Sequence, residues 1–111
     1  MSDTHKRVLE EANAAIDRGD FEAFLLHCTD DTTWTFVGDR TLSGTEEVRR
    51  WLQETYREPP SNRVDRMIEE GDFLVALGEI TLRGGGDTPR AYCDVWRLRG
   101  GKLAELRAFV V

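Results

Sequence analysis

The chain has 111 residues, 40% hydrophobic and 32% charged. That is the size and balance of one globular domain, able to bury a core without disulfides or metals. Its 21 acidic residues outnumber 15 basic ones, for a formal charge of -6, which speaks against nucleic acid and anionic membrane as partners, since both attract a basic footprint. No apolar run approaches the ~20 residues of a membrane span, and Met1 to Arg7 is polar with no apolar signal core behind it, so a cytoplasmic protein is expected. Cys28 and Cys93 both sit in apolar segments and read as buried thiols.

Val8, Leu9, Ala12, Ala15 and Ile16 recur at helical spacing, and Gly19 ends that first helix. Asp20 is placed to cap a short second helix with Phe21, Phe24, Leu25 and Cys28 on one side. The polar run Thr29-Asp30-Asp31-Thr32 is expected to break it. Thr33 to Val37 alternates and is rich in β-formers, a strand with Trp34 and Phe36 on one face. Ser43-Gly44-Thr45-Glu46 matches a capping box, opening a third helix that runs to about Tyr56, with Val48, Trp51, Leu52 and Tyr56 inward. Pro59-Pro60 stops it. Strands then follow at about Arg63 to Glu69, Phe73 to Arg83, Arg90 to Arg99 and Lys102 to Val111. A hairpin at Gly84-Gly85-Gly86-Asp87 and turns at Gly71-Asp72 and Gly100-Gly101 separate them. Helices followed by a strand meander make an α+β pattern, read as a single domain over residues 1–111.

Four segments in this order carry a resemblance: Asp17-Arg18-Gly19-Asp20-Phe21, Asp30-Asp31-Thr32-Thr33-Trp34, Ser43-Gly44-Thr45-Glu46-Glu47-Val48, and Tyr92 through Leu103. Together they resemble the SnoaL-like and ketosteroid-isomerase-like branch of the nuclear-transport-factor-2-like superfamily. The resemblance implies a cystatin-like cone: three N-terminal helices packed in a strongly curved, mostly antiparallel sheet around one internal pocket. It also implies a homodimer packed on the outer sheet face. It does not choose a reaction, because this fold hosts isomerases, cyclases, dehydratases, hydrolases and binding modules.

Ketosteroid isomerases use a carboxylate base on the first strand, with a tyrosine and a protonated aspartic acid holding the enolate oxygen. Matched by segment, the base position falls at Phe36, the tyrosine at Ala12 and the aspartic acid at Asp94. A phenylalanine takes no proton and an alanine donates no hydrogen bond, so the steroid-isomerase mechanism is not expected here.

Asp94 remains, sharing a strand face with Tyr92, Trp96 and Leu98. On the preceding strand Val75, Leu77, Glu79 and Thr81 form one set, and Leu74, Ala76, Gly78, Ile80 and Leu82 the other. The resemblance puts the first set inward, which would pair Glu79 with Asp94 as a general acid and base. The greater apolarity of the second set supports the opposite reading, with Glu79 at the rim or paired with Arg83, Arg97 or Arg107. The expected lining is Trp34, Phe36, Trp51, Tyr56, Val75, Leu77, Tyr92 and Trp96, walls suited to a flat, small apolar molecule. His5 and His27 have no metal-ligand spacing, so neither metal nor cofactor is expected. The glycine run lacks the strand-to-helix context of a phosphate loop. Two readings stay open: cofactor-independent proton transfer by Asp94, or a non-catalytic small-ligand or dimerisation module.

Overall fold

Helix α1 (Asp3–Asp17) buries one stripe, Leu9, Ala12, Ala15 and Ile16, and exposes Arg7, Glu10, Glu11 and Asp17 on the other side. Gly19, at φ 75°, closes it: the Gly19 N–H donates to the Ile16 carbonyl and the Asp20 N–H to the Ala15 carbonyl, both at 2.9 Å. Asp20 then caps α2 (Phe21–Leu25), its carboxylate accepting from the Ala23 N–H at 3.1 Å. The computed structural model describes residues 3–82 and 88–111; the glycine hairpin expected at residues 84–87 lies outside them.

Strand β1 (Cys28–Phe36) begins earlier than its alternation suggests. The polar run Thr29 to Thr32 belongs to the strand rather than breaking the chain, and two of its side chains find partners on β6 and β5. Thr32 is fully buried and its hydroxyl donates to the Leu103 carbonyl at 3.3 Å, while Asp31 pairs with Arg99. The register against the neighbouring strand shifts between Cys28 and Thr33, which absorbs the irregularity. A three-residue strand, β2 (Thr41–Ser43), pairs with β1 and buries only Leu42, too little for a sequence period to reveal.

Helix α3 (Gly44–Thr55) starts at Ser43, but not with the expected box. The Ser43 hydroxyl makes no cap bond, and its N–H donates to Glu47 at 2.7 Å rather than to Glu46. Glu46 instead pairs with Arg49, whose guanidinium also reaches Glu22 on α2, Nε to Oε2 2.7 Å. One arginine thereby ties the two short helices together.

Strands β3 (Ser61–Glu70), β4 (Phe73–Thr81), β5 (Arg90–Arg99) and β6 (Lys102–Val110) complete a curved, open, six-stranded sheet in the order β2-β1-β6-β5-β4-β3. Every neighbouring pair is antiparallel except β1 with β6. The inner face is organised in rows of paired residues. One runs Leu42, Trp34, Leu106, Trp96, Leu74 and Glu69 across all six strands; the next runs Phe36, Ala108, Asp94, Ala76 and Met67. The helices cover this face, and Leu9, Val48, Leu52 and Leu74 are at most 1% exposed.

Gly78 permits the closest approach in the sheet. A Cβ there would sit 2.1 Å from the Arg63 carbonyl oxygen and 2.9 Å from the Tyr92 hydroxyl. The backbone oxygen cannot step aside as a flexible side chain would. Gly78→Ala is therefore expected to push β3 away from β4 and to cost about 1–3 kcal/mol of stability, the usual range for overpacking. Urea unfolding of the variant against the parent measures it, and an unchanged midpoint would contradict the close approach.

Candidate functional site

The cone encloses a cavity of about 430 Å³. Its floor is aromatic and aliphatic, with Phe24, Trp34, Trp96 and Leu106; its mouth lies where β1 and β6 end and β5 begins. Trp34 is the hub of the wall, meeting Phe24, Trp51 and Trp96 edge-on at 5.6, 5.9 and 5.8 Å between ring centroids. Its indole N–H is buried with no acceptor among the described residues. That omission costs about 1–3 kcal/mol, and ring pairs at about 0.5–1.5 kcal/mol each are enough to offset it.

The structure sorts the expected lining residues into two faces. Trp34, Phe36, Trp51, Tyr56, Tyr92, Trp96 and Asp94 line the cavity. Val75, Leu77 and Glu79 do not: they stand on the outer face, opposite the position the resemblance implied and in line with the greater apolarity of the other set. Cross-strand partners share a face, and Asp94 pairs with Ala76 and Tyr92 with Gly78, whereas Val75 pairs with Val95, Leu77 with Cys93 and Glu79 with Ala91. Glu79 forms an ion pair with Arg63, Nη2 to Oε1 3.3 Å, so the two carboxylates lie on opposite sides of the sheet and no dyad forms. The sequence carries a physical hint of this outcome. The inward set on β4 contains Ala76, short enough to leave the neighbouring Asp94 carboxyl group open, and Gly78, which admits the Tyr92 hydroxyl, and the set that holds Glu79 can reach solvent and arginine.

Asp94 sits between Ala76 and Ala108 in its row, where short side chains leave its carboxyl group open to the cavity. It has neither hydrogen bond nor ion pair among the described residues. Burial among apolar walls therefore acts unopposed and pushes its pKa up to about 7. Burial also raises Tyr56, with the nearby Asp94 charge adding to it, and pushes Tyr92 up to about 12. The Tyr92 hydroxyl donates to the Asn62 side-chain oxygen at 2.7 Å. Asn62, Asn13, Arg40 and Arg90 also line the cavity without having been singled out in the sequence.

The remaining candidates lie elsewhere. His27 follows α2, its carbonyl accepting from the Leu103 N–H at 2.8 Å, and it does not line the cavity. His5 is part of α1, with Nδ1 2.9 Å from Glu69. Both cysteines are free; Cys28 is buried, which pushes its thiol up to about 12, and Cys93 stands on the outer sheet face. Among the described residues no cluster of His, Cys, Asp and Glu has the grouping a metal ion needs. No described helix is long and apolar enough to cross a membrane.

A cone with an aromatic floor and an isolated carboxyl group defines the class, and residues 9–106 match the SnoaL-like domain. The chain belongs to that family. Its fold is shared with solved structures of low sequence identity. An LEH-like epoxide hydrolase of M. tuberculosis superposes with TM-score 0.89 at 17% identity, over 99% of this chain and 84% of the other. A candidate ketosteroid isomerase from Kribbella flavida gives 0.86 at 15%, over 99% and 79%. A candidate polyketide cyclase from Sinorhizobium meliloti gives 0.80 at 16%, over 92% and 93%. Other neighbours are NTF2-like proteins of unknown function. None of the curated proteins compared with the chain matches it.

The raised Asp94 pKa sets a pH dependence with a definite sign. The folded state holds its proton up to about pH 7, whereas the unfolded chain releases it near the ordinary value of ~3.9. Folding is thus unaffected by this group below about pH 4. It loses stability as pH rises from there to about 7, by an order of 4 kcal/mol at ~1.4 kcal/mol per unit. Asp94→Asn is expected to match the parent's stability near pH 4 and to exceed it by a few kcal/mol at pH 8, as read from urea midpoints. Carbon-13 titration of the parent's Asp94 carboxyl group gives the direct check; a value at or below 4 would mean that the group is solvated.

Proposed function

We propose that the cavity binds a small, mostly apolar molecule and that Asp94 exchanges a proton with it, without a cofactor, in a reaction of isomerase, cyclase, dehydratase or hydrolase type. The supporting observation is the desolvated, unpartnered Asp94 carboxyl group among aromatic walls, with its pKa near neutrality. Such a group is a neutral hydrogen-bond donor on one side of pH 7 and a poorly hydrated base on the other, the range in which general acid and base catalysis is most effective. The protein neighbours described as an epoxide hydrolase, a candidate isomerase and a candidate cyclase illustrate the chemistry this cone holds elsewhere.

A proton-abstraction probe tests the base directly. 5-Nitrobenzisoxazole is flat and apolar, and opens when a base removes its ring C–H proton. The parent protein is expected to accelerate the opening in a saturable manner, with a rate that rises through about pH 7. Asp94→Asn should lower it by about 10²–10⁴-fold, the usual contribution of a general base. Binding of the probe with no rate above buffer would favour the non-catalytic module, a reading that Phe36, Ala12 and the outward Glu79 support by leaving Asp94 without a second catalytic group.

The same reading includes a homodimer through the outer sheet face. Its support is an apolar patch built from two adjoining rows, Leu77, Cys93 and Phe109 beside Ile68, Val75 and Val95. Ile68 and Phe109 are 50% and 40% exposed in the single chain, an unusual density for a surface that stays wet. Light scattering at micromolar concentration should give twice the chain mass of 12.7 kDa; a clean monomer would refute it.

A further inference from the structure

The cavity changes character from floor to mouth. Along β6 the lining passes from Leu106 through Ala108 to Val110, and the only cationic side chains in the lining among the described residues, Arg40 and Arg90, stand at the mouth. Arg40 follows β1 and Arg90 opens β5, so both belong to the end of the sheet where β6 finishes. Arg18, Arg49, Arg63, Arg97 and Arg99 are each paired with a carboxylate; of the described arginines without such a pair, Arg40 and Arg90 are the two that line the cavity. Arg40 has no ion pair with any described residue, and Arg90 donates from Nε to a main-chain oxygen of Val111 at 3.3 Å. Asp39 shares the rim, so two guanidinium groups and one acidic side chain stand there among the described residues.

We propose that Arg40 and Arg90 form an anion subsite, and that the natural ligand is an amphipathic molecule with an apolar body and one anionic head, such as a carboxylate. The inference rests on the reading of the cavity as a ligand site and adds the ligand's polarity and orientation. The head lies at the mouth, because deeper placement would bring it to the Asp94 carboxyl group, where apolar walls solvate no second charge. The four steps along β6 from Leu106 to Val110 span ~13 Å at ~3.3 Å each. An apolar body of about that length, two to four fused rings or an equivalent chain, reaches the tryptophan floor while its head meets the arginines. Guanidinium groups suit the role, since their fork of N–H donors matches a carboxylate.

All three tryptophans of the chain, Trp34, Trp51 and Trp96, line the cavity, so their fluorescence reports its occupancy. The probes are 1-pyrenebutyrate and 1-pyrenebutanol, which share the apolar body and differ in the charged head; pyrene accepts energy from tryptophan. Titration at pH 8 and low salt is expected to give tighter binding of the butyrate, by about tenfold, the worth of a charge-assisted pair. Added salt should erode that preference. In the Arg40→Gln/Arg90→Gln double variant the preference should vanish while the butanol binds as before, which also shows the variant is folded. Equal affinities of the two probes in the parent would overturn the anion subsite and leave the cavity reading standing. Quenching by neither probe would overturn both.

Discussion

The inner-face row Leu42, Trp34, Leu106, Trp96 and Leu74 is the layer that the site depends on. Leu9 and Ile16 of α1 and Val48 and Leu52 of α3 are buried in the same core. In the next row up the sheet, the positions beside Asp94 are Ala108 and Ala76, and one step further Gly78 faces Tyr92. The alanines on β6 and β4, on either side of Asp94 on β5, remove the atoms that would otherwise fill the space. The cavity is therefore written into the residue sizes of the sheet, and the aromatic layer beneath it keeps the walls from collapsing inward. Phe24, Trp51 and Trp96 hold Trp34 by its edges from different elements, so relaxation into the void would have to break several ring contacts at once.

Periodicity made the helices legible because each has one continuous buried stripe, and the position of the Asp20 cap followed from its own chemistry. Polar β1 residues were illegible for the opposite reason: Thr32 and Asp31 find their partners at Leu103 and Arg99, about seventy residues away, where no local window reaches. The face of β4 turned on a subtler point. Both of its alternating sets are largely apolar, since one packs under the helices and the other forms a patch on the outer surface. The greater apolarity of the set with Leu74, Ala76, Gly78 and Ile80 nevertheless pointed it inward, against the resemblance, and Glu79 reaches Arg63 on the outer face.

Turning Glu79 outward changes the chemistry rather than merely subtracting from it. Two carboxylates facing each other in the cone would share a proton and divide into a low and a high pKa. Asp94 alone is raised by burial and by nothing else. It has no arginine to anchor it as an anion, and the hydroxyl of neighbouring Tyr92 is already committed to Asn62. Its protonation state is thus decided by what occupies the cavity. An apolar ligand that displaces water deepens the desolvation and favours the neutral donor, whereas a ligand with an acidic C–H or O–H supplies the one proton the carboxylate can take.

Keeping an unpaired carboxyl group in this place has an energetic consequence. Above pH 7 the cost of ionising Asp94 is a few kcal/mol, set against a total folding stability of about 5–15 kcal/mol for a domain of this kind. An asparagine or leucine would avoid that cost, and nothing in the packing of Ala76, Ala108 or Trp96 requires an acid between them. Cap carboxylates such as Asp20 bond a backbone N–H, and surface carboxylates such as Asp72 hold an arginine; both explain themselves through the fold. Asp94 stabilises no element that the structure describes, and its only open side is the cavity. That contrast separates it from the chain's other carboxylates that carry a structural bond, and supports the role proposed for it in the cavity.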